Sequence, residues 1–220
     1  MAEDVTAKDV LAAYTAGYFP MADSRDGQEL WWFNPAKRGT LPLAEFNLPR
    51  GLKKVLRSCP FEVVVDQDFR ETITACADAP RGGDGAWISG RIIDLYCEIH
   101  AMGYAHSVET RRDGKLVGGL YGVSIGNAFF GESMFSHESE ASKVALVHLV
   151  ARMKKAGYTL LDTQFVNAHL KQFGVKEITK GKYLKQLDAA LEAPHDASLH
   201  FLHSDPGPVS ELAQHFVVQN

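Results

Sequence analysis

Between residues 105 and 135 three β-prone runs are separated by two tight-turn dipeptides, and this stretch constrains the fold more than any other. The pattern predicts strands over 105–110, 116–125 and 128–135, joined at Asp113-Gly114 and Gly126-Asn127. Turns that short leave no room for a crossover, so the strands must be antiparallel neighbours. The segment from Leu116 to Phe135 also holds five glycines, at 118, 119, 122, 126 and 131. Glycine weakens a strand interior. Its density here reads either as bulges that bend the sheet or as close approach of another group to the backbone.

Helical periods surround this meander. They predict helices over 68–77, 89–102 and 141–156, the last with Val144, Ala145, Leu149 and Met153 on one face. Beyond it come a strand over 159–164, a short helix over 167–173, a strand over 175–178 and a helix over 182–191. Upstream, a helix over 6–16 starts at a Thr6/Asp9 capping box, and the aromatic run Trp31-Trp32-Phe33 meets a turn at Asn34-Pro35. A helix over 50–57 stops before Pro60, and 61–65 reads as a strand. A Gly-rich loop is expected over 80–85. The expected organisation is α+β: a small mixed N-terminal unit over 1–60, a larger unit over 61–191, and a tail over 192–220 without clear period. A meander followed by helix, strand, helix and strand is the order of GNAT-like acyltransferases.

Composition narrows the class. With 23 Lys+Arg against 27 Asp+Glu, the 220 residues carry a net charge of −4, which argues against coating nucleic acid by bulk charge but leaves room for a local basic patch. Three well-separated cysteines, Cys59, Cys76 and Cys97, make a poor disulfide framework and fit a reducing cytoplasm. The opening residues MAEDV are too polar for a signal peptide, and no run of 18 apolar residues occurs. No nucleophile elbow, phosphate loop or zinc-protease motif is present, and no metal or cofactor is expected.

Three groups of residues could carry chemistry. Glu132 sits among Phe129, Phe130, Met134 and Phe135; a carboxylate beside apolar side chains is costly unless paired or used. Strict alternation puts Phe130, Glu132 and Met134 on one face of the strand, unless a bulge intervenes, and Lys143 or an arginine is the ordinary partner. Asp162 and Gln164 stand two apart near a strand end; there a carboxylate can hold a cationic amine and an amide can donate and accept, or Asp162 can simply cap a turn. Arg50, Lys53, Lys54 and Arg57 lie on one helical face, with Lys37 and Arg38 just upstream, and suggest either phosphate contact or a solvated face. Trp31, Trp32 and Trp87 can stack on unpaired bases or belong to the core. His106 and His169 read as bases or structural histidines, and His195, His200 and His203 lie in the unpatterned tail.

Together these segments resemble the leucyl/phenylalanyl-tRNA–protein transferase family over roughly residues 5–190. The matching residues are Ala13-Tyr14, Gly17 to Pro20, Trp32, Pro35, Arg38, Trp87-Ile88, His106 to Glu109, Leu116 to Gly122, Gly131 to Phe135, Ala141 to Lys143, Leu161-Asp162, Gln164, His169-Leu170, Gly174 and Glu177-Ile178. The resemblance implies a cytoplasmic, monomeric aminoacyltransferase with a GNAT-like domain and no acetyl-CoA. It would move Leu or Phe, less often Met, from aminoacyl-tRNA to an N-terminal Arg or Lys of a protein, marking that protein for N-end-rule degradation. It implies catalytic roles for Asp162, Gln164 and Glu132, with Asp162 orienting the incoming amine. It implies a donor side-chain pocket of Leu120, Phe129, Met134, Leu146, Leu149, Met153 and Leu161, and tRNA contacts at Tyr14, Trp87, Arg50, Lys53, Lys54 and Arg57. Departures are Met21 where a Trp often follows Phe-Pro, Thr179-Lys180 in place of Pro-Arg, and Leu120 and Met153 in the pocket. The rival readings are an acetyl-CoA-dependent acetyltransferase, disfavoured by the acidic, glycine-free stretch 136–141, and a non-catalytic tRNA-binding protein.

Overall fold

The computed structural model describes residues 5–27, 29–58, 61–80 and 87–216. Residues 81–85 of the expected Gly-rich loop, together with Cys59, Pro60 and the chain start, lie outside the described residues.

Helix α1 (Ala7–Thr15) opens on the expected capping box, in which Thr6 and Asp9 bond each other's backbone N–H groups. The chain then forms β1 (Phe19–Ala22), β2 (Leu30–Phe33), β3 (Lys37–Thr40), α2 (Arg50–Ser58), β4 (Glu62–Val65), α3 (Phe69–Asp78) and α4 (Gly90–Ala101). The meander follows as β5 (Ala105–Arg112), β6 (Lys115–Ile125) and β7 (Ala128–Ser136). Next come α5 (Ala141–Ala156), β8 (Leu160–Gln164), α6 (Ala168–Lys171), β9 (Lys176–Thr179) and α7 (Lys180–Leu191). Strands β1 and β2 make a small hairpin, and the other seven form one sheet in the order β4-β5-β6-β7-β8-β3-β9. Every pair is antiparallel except β7–β8, which is parallel because α5 crosses over between them.

The sheet is covered on both faces. One core gathers Val108, Leu120, Phe129 and Leu161 with α2, α5 and the C-terminal segment. The other gathers Tyr121, Val123, Phe130 and Leu160 with α1, α3, α4 and α7. Adjacent residues fall in opposite cores, as strand alternation requires.

Three expectations need correction. Strands β1 to β3 were not legible as strands, and β3 enters the large sheet between β8 and β9 while β1 and β2 pair apart from it. Helix α5 is not apolar on one face only: all of it is buried except Lys143, Lys154 and Lys155. Its outer side is covered by the segment expected to be an unpatterned tail, which forms 3-10 turns at Ala197–His200 and Val209–Phe216. Phe201 from that segment is fully buried and stacks on Phe129 at 5.6 Å. Arg152 of α5 donates to the carbonyls of Phe201 and Leu202 at 2.7 and 2.9 Å.

The third correction concerns β7. Gly122 pairs with Gly131 and Tyr121 with Ser133, so Glu132 is the extra residue of a bulge. The bulge resets the alternation: Phe129 and Met134 join one core, Phe130 and Phe135 the other. Glycine is needed opposite it, because a Cβ on Gly122 would stand 2.3 Å from the Phe130 carbonyl oxygen and 2.4 Å from the Phe129 ring.

Candidate active site

Pairing between β7 and β8 ends at Phe130 and Asp162, just before the bulge. Beyond that point a cavity of about 320 Å³ opens, lined by Gly131, Glu132, Ser133 and Met134 of β7 and by Leu161 and Thr163 of β8. Leu120 and Tyr121 of β6, Leu146 and Leu149 of α5, and Asn167, Leu170, Ala79 and Pro80 complete it. Of the seven side chains expected around a donor pocket, Leu120, Met134, Leu146, Leu149 and Leu161 line this cavity. Phe129 and Met153 do not. Phe129 is on the right face but is turned onto Tyr158 and Phe201, and Met153 is fully buried in the core beneath.

Glu132 stands in the wall of this cavity. Its Oε1 accepts from the Tyr14 hydroxyl at 2.6 Å and from Gln164 Nε2 at 2.9 Å. Its Oε2 lies 3.3 Å from the Tyr96 hydroxyl, whose single proton is shared between that oxygen and the adjoining Tyr14 hydroxyl oxygen. Burial pushes the Glu132 carboxyl up to about 7; the bonds from Tyr14 and Gln164 pull the other way, and the nearby Asp162 charge adds to the rise. Burial likewise holds both tyrosine hydroxyls well above their ordinary value, so they are donors. Lys143, the ordinary partner, is paired instead with Glu140 at 2.7 Å.

Gln164 has an unusual backbone. Its φ is 59°, in the left-handed region, and Phe165 N–H bonds the Thr163 carbonyl across it at 2.6 Å, making a γ-turn. Such a conformation costs about 1–3 kcal/mol and persists only where its surroundings enforce it. With Nε2 donating to Glu132, the amide Oε1 remains an acceptor.

Asp162 is fully buried and its oxygens are occupied. Arg38 Nε lies 3.0 Å from both, Arg38 Nη2 is 2.6 Å from Oδ2, Tyr183 donates to Oδ2 at 2.8 Å, and Gln164 N–H donates to Oδ1 at 2.8 Å. Direct orientation of an incoming amine by Asp162 does not fit this arrangement. Arg38 is 1% exposed and so does not belong with Lys37 in a basic surface. Burial lowers its pKa, but the bonds and charge of Asp162 more than offset this and leave it raised.

The expected RNA contacts divide. Tyr14 is fully buried, so its ring is no stacking platform, and it acts here as a ligand of Glu132. Trp87 is half-buried against the core of α1, α3 and α4, with its carbonyl accepting from Ala22 N–H. Arg50, Lys54 and Arg57 are exposed and Lys53 half-buried on α2, whose Leu52 and Leu56 face the core. Lys53 and Arg57 also line a shallow depression with Ser210, Ala213 and Gln214. The aromatic run, open between base stacking and core at the level of sequence, is on the surface: Trp31 is 56% exposed, and Tyr18, Trp32, Phe33 and Phe165 are exposed as well. Phe33 stacks on Phe19 at 5.9 Å and Phe19 meets Phe165 edge-on at 5.7 Å, so this surface runs up to the Gln164 turn. Sequence reasoning missed Tyr96, Arg38 as a buried ion-pair partner, and Tyr183. Tyr96 sits in an ordinary apolar helical period, and no local signal separates it from core.

Comparison with known proteins gives a consistent picture. The family model described as leucyl/phenylalanyl-tRNA protein transferase matches residues 40–188, and the one for that family's N-terminal domain matches residues 3–36. The leucyl/phenylalanyl-tRNA–protein transferase of Phenylobacterium zucineum is 50% identical over 190 residues, 86% of each chain. That of Paramagnetospirillum magneticum is 51% identical over 187 residues, 85% of this chain and 90% of the relative. That of Caulobacter vibrioides is 50% identical over 196 residues, 89% of this chain and 90% of the relative.

Proposed function

The chain belongs to the leucyl/phenylalanyl-tRNA–protein transferase family, and on that premise we propose that Glu132 and Gln164 receive the attacking amine. The chain is an aminoacyltransferase that moves an aminoacyl group from tRNA to protein. The observation that carries the assignment is the Glu132 carboxyl, bonded by Tyr14 and Gln164 and pushed up by burial, standing in the wall of the cavity.

The chemistry needs little acid or base strength. An aminoacyl ester is already activated, and an N-terminal amine has a pKa of about 7.7–8.0. Glu132, within about one unit, can hold the ammonium as a carboxylate and take its proton at small cost. The freed amine nitrogen, steered by Gln164 Oε1, attacks the ester carbonyl. Glu132 passes that first proton to solvent; as the C–N bond forms it takes the second proton from the amine nitrogen, the C–O bond to the terminal ribose breaks, and this second proton goes to the departing ribose oxygen. Holding both substrates in line supplies most of the acceleration, roughly 7–11 kcal/mol in well-oriented reactions.

The donor side chain enters the cavity of Leu120, Met134, Leu146, Leu149 and Leu161, which suits Leu, Phe and Met. One methylene in such a pocket is worth only about 1–3 kcal/mol, so selectivity among the three is modest. The exposed aromatics of β2 with Tyr18 and Phe165 stack the unpaired 3′ end, and the α2 cations meet the acceptor stem. The acceptor is an N-terminal Arg or Lys, whose cationic side chain favours the acidic site, and the product enters N-end-rule degradation in the cytoplasm. The parallel β7–β8 pair with its α5 crossover supports a GNAT-like reading of the sheet. Glu138 and Glu140 at the start of α5 speak against a pyrophosphate cradle there. The test offers labelled Leu-tRNA and Phe-tRNA to peptides beginning with Arg, Lys, Asp, Glu or Ala. Transfer to Arg and Lys peptides alone is expected, and no transfer to either overturns the reading.

A further inference from the structure

Arg38 comes from β3, 124 residues before Asp162, and is among the largest fully buried side chains described. Its guanidinium is used on every side. Nε and Nη2 grip Asp162, Nη1 donates to the Gly17 carbonyl at 3.2 Å, and Cζ lies 4.4 Å from the Phe19 ring centroid and 4.5 Å from that of Tyr183. Asp162, so held, accepts the N–H of Gln164 and thereby closes over the left-handed turn. Gly17 stands just past Ala16, the C-cap of the helix that carries Tyr14. The two side chains that meet on Glu132 Oε1, Gln164 and Tyr14, are thus tied back to one cation.

We infer that Arg38 is a positioning residue for transfer: through Asp162 it holds the Gln164 turn that presents the amide to Glu132. The inference rests on the roles given above to Glu132 and Gln164. A buried ion pair adds little stability over a well-packed apolar pair, so stability alone gives no reason to place one here. A strained backbone beside a cavity does give one, because it survives only under fixed partners. Lysine retains the charge but not the planar fork, so it cannot grip Asp162 and reach Gly17 together.

The experiment measures kcat and KM for transfer from Leu-tRNA to a peptide beginning with Arg, in wild type, Arg38→Lys, Gln164→Ala and the double variant, with folding followed by thermal melting. A misplacement of about 1 Å is expected to lower kcat on the order of 10²-fold in Arg38→Lys, with both KM values within about threefold of wild type. In the Gln164→Ala background the same substitution is expected to cost less than about threefold, because the group it positions is gone. A folded Arg38→Lys enzyme with kcat near wild type, or an equal loss in both backgrounds, overturns the inference. If Arg38→Lys does not fold, the charge-free pair Arg38→Met/Asp162→Leu replaces it, with the same kcat loss expected. Wild-type transfer by that pair, or its failure to fold as well, assigns the ion pair to stability and overturns the inference. Failure of the underlying reading is separately visible, since Gln164→Ala alone would then transfer like wild type.

Discussion

Glutamine at position 132 keeps the size and removes the charge, and so separates two consequences of the buried carboxyl. Transfer is expected to fall by about 10²–10⁴-fold. In wild type the rate should decline below about pH 7 as Glu132 takes a proton, in a setting formed by Tyr14, Tyr96, Gln164 and Asp162 with Arg38 behind it. Glu132→Gln should lose that limb, and a pH–rate profile for kcat/KM decides it; an unmoved limb would assign the titration elsewhere. The same shift acts on stability. A carboxyl raised from 4.5 to about 7 on folding binds a proton that the unfolded chain has already lost. The native state is therefore favoured at low pH and loses stability as pH rises from about 4.5 to about 7, by up to about 3 kcal/mol, less where the cavity admits water. Urea unfolding at pH 5 and pH 8 should show Glu132→Gln gaining on wild type between the two. A second single-residue test concerns Thr163, whose buried hydroxyl has no hydrogen-bond partner among the described residues although the residue lines the cavity. Thr163→Val should raise the unfolding free energy by roughly 1 kcal/mol and keep transfer from Leu-tRNA; a loss of stability would reveal a partner for the hydroxyl.

Elements show where local sequence suffices. The capping box of α1, the turns of the meander and the Gly157 end of α5 were readable because each depends on residues a few positions apart. Strands β1 to β3 were not: each has four residues, Pro20 and Gly39 interrupt their pattern, and β3 finds its neighbours more than 120 residues later. For the same reason Glu132, Asp162 and Gln164 could be singled out while the Arg38 partner of Asp162 could not. The bulge at Glu132 was invisible too, since a single added residue leaves composition unchanged while reversing the sides of all that follows. Helix α2 gives the prediction proper to this scale. Its cations should touch phosphates, each contact adding about 0.9 to the salt slope of binding for a duplex. Neutralising Lys53, Lys54 and Arg57 together should weaken aminoacyl-tRNA binding and flatten that slope, with little dependence on tRNA sequence. Filter binding between 50 and 200 mM salt, concentrations of roughly the range in which such slopes are read, would show it; an unaltered slope would mark α2 as a solvated face.

The whole molecule corrects two averages. Its net charge of −4 discouraged an RNA partner, yet the cations of α2 are gathered on one helix without a single acid. The C-terminal segment lacked a helical period because it is not a helix packed along one stripe but a cover over α5, fixed by Phe201, Leu212 and Phe216. Phe201→Ala should cost about 3–5 kcal/mol in chemical unfolding, an effect out of scale for a loose tail.

Strand β3 carries a further consequence, in time. During synthesis it emerges long before β8 and β9, the strands it must lie between. At about 5–20 residues per second, the interval of 124 residues to Asp162 lasts roughly 6–25 s. Throughout it, a strand bearing Lys37, Arg38 and Gly39 is a poor template for stray pairing. Until β8 has emerged to pair with β3, neither Asp162 nor Gln164 stands against its partners, so the nascent polypeptide has no assembled site during that interval.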